Sequence, residues 1–190
     1  MKRLFLAAAC SFALVAGSTV ALAAPPDARH ARGGVGFHDE SAPLGLRWWL
    51  AGEKMGIDIG LGFGSRPSGV DPNEKESNWA LDFGVPFVMH SWDFAHVLFR
   101  PGILYQSQEV GFDPVGPVTF DTETQTTLAI QVELEAEVFL RDNVSVSASH
   151  GLALSRFDPG FGADSQSTLE TIGHNFTNVG FHVYFLGVGR

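Results

Sequence analysis

Residues 130–140, IQVELEAEVFL, place Glu133, Glu135 and Glu137 two residues apart. Three carboxylates on one stripe could line an ion path, form a gate that opens when an ion pair breaks, or fill an interior as a structural polar plug. Which of these applies depends on where the stripe points. The intervening residues Ile130, Val132, Leu134, Ala136 and Val138 are apolar. Side chains of a strand alternate faces, so this segment predicts a strand with one acidic and one apolar face. The carboxylates would repeat about every 7 Å along it. Like charges in a narrow interior need partners. On the matching parity of other segments the candidates are Arg47, Arg100, His96 and His182, with Asp58 and Asp82 adding negative charge.

Other residues invite different chemistry. His150, in SVSASHGLALS, follows Ser149 directly. A Ser–His nucleophile pair must share a face and come within hydrogen-bond reach. Adjacent strand residues diverge. His90 and Ser91 of HSWD fail in the same way, so no catalytic residue is assigned. His150 lies on the apolar parity, which a bulge at Gly151 or a neutral imidazole near a rim would accommodate. The acidic long segments, with Asp71, Glu74, Glu76, Asp113, Asp121, Glu123, Asp158 and Asp164, could meet divalent cations through oxygen ligands, but read more simply as solubilising loops. His/Cys metal spacing, phosphate-cradling glycine loops and nucleotide fingerprints are absent, so neither cofactor nor metal is expected.

The elements that must carry these residues are strands. The 190-residue chain holds 22 Gly and 16 Phe with few Lys, and helix-favouring runs are nearly absent after residue 24. Residues 1–24 read as a cleaved signal peptide: Lys2 and Arg3, an apolar run from Leu4 to Val20, and the small residues Ala21 to Ala23. Residues 25–32 read as a flexible lead-in and 33–190 as the folded domain. The chain carries a formal charge of −9, which becomes −11 once Lys2 and Arg3 are removed. No basic patch remains to meet nucleic acid. The single cysteine leaves with the leader, and no later stretch is apolar for long enough to form a transmembrane helix.

Eight strands are predicted, near 33–39, 44–51, 55–65, 78–90, 95–109, 125–140, 144–157 and 169–186. Short connections (GEK, SWDF, RDN) alternate with long ones (SRPSGVDPNEKES, VGFDPVGPVTFDTET, DPGFGADSQST). Outer-membrane barrels share this asymmetry of short periplasmic turns and long external loops. Aromatics near strand ends suggest girdles at both interfaces: Trp48, Trp49, Trp79, Trp92, Tyr105, Tyr184 and Phe185. Small and charged residues on the opposite parity suit the interior of a narrow barrel, which its own side chains must fill.

Residues 178–185, NVGFHVYF, resemble the terminal-strand signal read by the bacterial barrel-assembly machinery, with Asn178, Gly180, Val183 and Phe185 at its positions; LGVGR follows, whereas many such chains end on the aromatic. With this strand and LGLRWWLAGEKMGIDIGLGFG, residues 33–186 resemble the small outer-membrane β-barrel proteins of the OmpA and OmpX type. The resemblance implies an all-β, eight-stranded antiparallel up-and-down transmembrane β-barrel in a Gram-negative outer membrane. The expected partners are outer-membrane lipids and lipopolysaccharide, with the assembly machinery during biogenesis, and the expected state is a monomer. Such barrels serve as anchors, adhesins, narrow channels and, rarely, lipid enzymes, so no single activity follows. The reading is a non-enzymatic cell-surface barrel with a structural or interaction role, or a minor narrow pore. Its rivals are a lipid A deacylase-like barrel and a soluble periplasmic lipocalin-like carrier, the latter with the apolar parity inside.

Overall fold

The computed structural model describes residues 32–37, 41–50, 54–68, 75–112, 121–172 and 178–185. The expected signal peptide, the lead-in up to residue 31 and the LGVGR tail lie outside the described residues, as do Asp71, Glu74 and Asp113.

The wall consists of β1 (Arg32–Phe37), β2 (Leu44–Trp49), β3 (Gly56–Pro67), β4 (Lys75–Gly84), β5 (Phe87–Trp92), β6 (Ala95–Phe112), β7 (Asp121–Arg141), β8 (Val144–Asp158), β9 (Gln166–Ile172) and β10 (Asn178–Phe185). Every pairing is antiparallel. β4 and β5 both pair with β6 and form one stave, broken at Val85–Pro86. Proline has no N–H to give the ladder. The gap is bridged instead by the Val85 N–H donating to the Pro101 carbonyl and the Gly56 N–H to the Pro86 carbonyl, at 2.9 and 2.8 Å. β9 and β10 likewise share β8. β10 then pairs with β1, from Gly33 opposite Phe185 to Phe37 opposite Phe181, and the ring closes. The result is an all-β, closed, eight-staved antiparallel up-and-down barrel.

Turns at one end are tight, with Asp93–Phe94 between β5 and β6 and Asp142–Asn143 between β7 and β8. At the other end β6 and β7 run further than their apolar residues predict. They stay paired from Tyr105 opposite Leu128 up to Phe112 opposite Asp121. Residues 110–112 and 121–124 continue the ladder beyond the predicted strands, so both ends of the expected long loop are strand.

Apolar side chains point outwards. Ile130, Leu134, Leu152 and Leu154 are 49–60% exposed. The interior is split by depth. Trp49, Leu98, Phe139 and Tyr184 pack together at the tight-turn end, and Ala129 and Ala153 meet Leu104 in the other half. Above the polar layer between them, Gly62 leaves room for the Ser41 backbone, which a Cβ would strike, and the neighbouring Ala42 is fully buried against the same wall.

Candidate functional site

The acidic parity of β7 turns inward with Arg47 of β2 and Arg100 of β6. Arg47, Asp58, Asp82, His96, Arg100, Glu133, Glu135, Glu137 and His182 are each 0–6% exposed. Arg47 donates from Nε to Asp58 Oδ1 at 2.8 Å and from Nη2 to Asp58 Oδ2 at 2.8 Å. Its Nη1 and Nη2 also reach Glu135 Oε1 and Oε2 across the lumen, at 2.9 and 2.7 Å. Glu137 Oε2 lies 3.5 Å from the same guanidinium. Arg100 donates from Nε to Asp58 Oδ2 at 2.9 Å, from Nη1 to Glu133 Oε1 at 2.9 Å, and from Nη2 to Asp82. Asp58 therefore bridges the two arginines. Gln131 Nε2 donates to the remaining Asp82 oxygen at 2.9 Å.

The backbone makes this geometry possible. Arg47 stands directly opposite Asp58, and Arg100 opposite Glu133. Gly84 is the inward residue beside Arg100, and a Cβ there would collide with the guanidinium. Towards the tight-turn end, Glu137 Oε1 accepts from the Ser145 hydroxyl and the Tyr184 hydroxyl, each at 2.6 Å. Trp49 Nε1 donates to the Tyr184 oxygen at 3.3 Å. His96 edges onto Trp49 and Phe139, with centroids 6.1 and 5.1 Å away. His182 Nδ1 lies 3.9 Å from Glu137 Oε1. Five buried carboxylates thus meet two buried guanidiniums, bound into one network that crosses the interior from β2 and β3 to β6 and β7.

Two girdle assignments are corrected. Trp49 and Tyr184 are buried, because they share parity with the inward Arg47 and His182. They floor the polar network rather than meeting an interface. Trp48, Trp79, Trp92 and Phe185 remain outward, 48–58% exposed, and the half-buried Tyr105 stacks on Trp79 at 5.0 Å. His90 continues the parity of the inward Asp82 and Gly84, but a register shift between Val88 and His90 exposes it, and its ring lies 4.3 Å from that of Trp92. No bulge occurs at Gly151: β7 and β8 pair without a shift past it, so His150 stays outward opposite Leu134, while Ser149 is buried opposite Glu135. In β10, Gly180 is buried against the interior and Phe185 is exposed, with Val183 and Asn178 intermediate.

A second cluster, at the mouth opposite the tight turns, escaped the sequence reading. Glu76 accepts from Arg66 Nε at 3.0 Å, the Ser68 hydroxyl at 3.2 Å and the Gly111 N–H at 3.0 Å. It thereby ties β3, β4 and β6 together above the apolar band. The Gly111 amide foremost, helped by Arg66 and Ser68, holds its carboxyl below the usual carboxylate range against the opposing effect of desolvation. Extending the inward parity of β4 beyond Ala80 would have found it.

Among the described residues, no group of three or more His, Cys, Asp or Glu is placed to hold a metal ion. No described helix is long and apolar enough to cross a membrane, which says nothing about crossing by strands. Protein-family models, curated proteins and solved structures offer no match to the chain.

Proposed function

We propose that this chain is an integral outer-membrane β-barrel with a structural or interaction role at the cell surface. Its lumen is occupied by its own charged side chains. One observation carries the reading: the barrel is polar inside and apolar outside. A soluble carrier of lipophilic ligands would enclose Ile130, Val132 and Leu134 and expose Glu133 and Glu135. Here the three apolar residues are 39–60% exposed and the two glutamates 1% exposed. Such an arrangement is stable where hydrocarbon surrounds the wall, and a closed ring leaves no backbone edge to desolvate there.

The remaining features agree. Trp48 and Trp92 flank one rim and Trp79 the other, as interfacial aromatics do. Residues 1–24 read as an export leader, and β10 carries the residues of an assembly signal. A lumen crossed by buried ion pairs favours a structural part over conduction. Ser149 and His150 on opposite faces give the lipid A hydrolase reading no dyad. Cell fractionation tests the proposal, followed by gel electrophoresis with and without boiling. The chain is expected in the outer-membrane fraction with a mobility that changes on heating. Recovery in the soluble periplasmic fraction would defeat the proposal.

A further inference from the structure

The mouth opposite the tight turns is built differently from the ionic layer beneath it. Inward-facing residues stack there in rungs across the sheet. One rung holds Gly64, Asn78, Gln108 and Gln125 in direct register. The rung below holds Gly62, Ala80, Gln106 and Thr127, and above them Arg66 stands opposite Glu76. Beside the upper residues lies a hollow of about 280 Å³, lined by Arg66, Glu76, Ser77, Asn78 and Gln108. That volume lies just below the ~300–1,000 Å³ span of small-molecule pockets.

The lining is oriented but not satisfied. Glu76 is fully engaged by Arg66, Ser68 and Gly111. Glu76 takes Arg66 at Nε, which leaves both Nη groups without a hydrogen-bond partner among the described residues, on a side chain 65% exposed. The carboxamides of Asn78 and Gln108 have no hydrogen-bond partner among the described residues either. Gly64 supplies the space into which the Asn78 carboxamide projects.

We propose that this hollow binds one uncharged, hydroxyl-rich small molecule of monosaccharide size. The charge balance selects against ions. The charge of Arg66 is met by Glu76, so the lining carries no net charge. An anion would find Arg66 already neutralised, and a cation would find Glu76 already committed. A sugar hydroxyl both donates and accepts, as a carboxamide does, and two vicinal hydroxyl oxygens match the paired Nη donors. The inference goes beyond the membrane reading and is independent of it, since the hollow is present whether the wall meets lipid or water.

Saturation-transfer NMR on the full chain folded in detergent tests it. The probes are glucose, galactose, mannose and N-acetylglucosamine, with glucuronate and glucosamine as charged counterparts. At least one neutral sugar is expected to bind. The double substitution Asn78→Ala with Gln108→Ala should weaken it by about tenfold or more, the scale of losing one or two hydrogen bonds. Arg66→Ala should do the same. Should the double variant fail to fold, as judged by heat-dependent mobility, Gln108→Glu alone must weaken binding. No signal from any of the four neutral sugars, an unchanged signal in the variants, or tighter binding of either charged sugar would overturn the proposal.

Discussion

Arg100 satisfies carboxylates from β3, β4 and β7 at once, in a site with no exposure. Removing one partner of a buried ion network leaves the others charged and unpaired, which costs about 3–5 kcal/mol. Arg100→Ala should lower the unfolding free energy by that order, read from urea titration in detergent; a change below about 1 kcal/mol would contradict the network. Glu76 makes a prediction of opposite location. Its folded carboxyl titrates below the usual range, so its stabilisation is complete above about pH 4.3, the ordinary glutamate value, and is lost as pH falls through the lower folded value. The Gly111 amide resonance should therefore hold steady at neutral pH and shift only as pH falls below the ordinary glutamate range. In Glu76→Gln that acid step should vanish.

At the scale of the strand, β7 carries the membrane argument. Leu134 lies near the centre of its outward row, and Leu134→Arg should cost roughly 2–4 kcal/mol at the bilayer midplane. Yield in the outer-membrane fraction and folding into vesicles should both fall; unchanged values would mean that this face does not meet lipid. Strand positions and faces were legible because period-two alternation survives in β3, β4, β7 and β10. Errors arose where another signal was preferred to parity. Trp49 and Tyr184 were placed at an interface because they are aromatic and near strand ends, although their neighbours Arg47 and His182 already marked that parity as inward. His90 leaves the parity of Asp82 and Gly84 at a one-residue shift with no glycine to announce it. Residues 110–112 and 121–124 read as loop because Gly111, Asp121, Thr122, Glu123 and Thr124 break the apolar–polar alternation that marks the rest of β6 and β7.

For the molecule as a whole, the sequence offered the members of the charge network but not their pairing. Arg47 meets Glu135, 88 residues away, and Arg100 meets Asp58 and Asp82. Those matches depend on how far each stave is staggered against the next, which no local pattern encodes. The Glu76 cluster and the carboxamide rungs were hidden for the same reason: they emerge only when four strands lie in register. The pairing of β1 with β10 has a consequence for biogenesis. It joins residues about 150 positions apart along the chain, so the last seam is also the most distant in sequence. Synthesis from the N-terminus leaves β1 without its mate until the residues of β10, about 150 positions later, have been made. Without that pairing the sheet would be a curled ribbon with two raw borders, open to mispairing, and loss of either strand would keep it from becoming a cylinder.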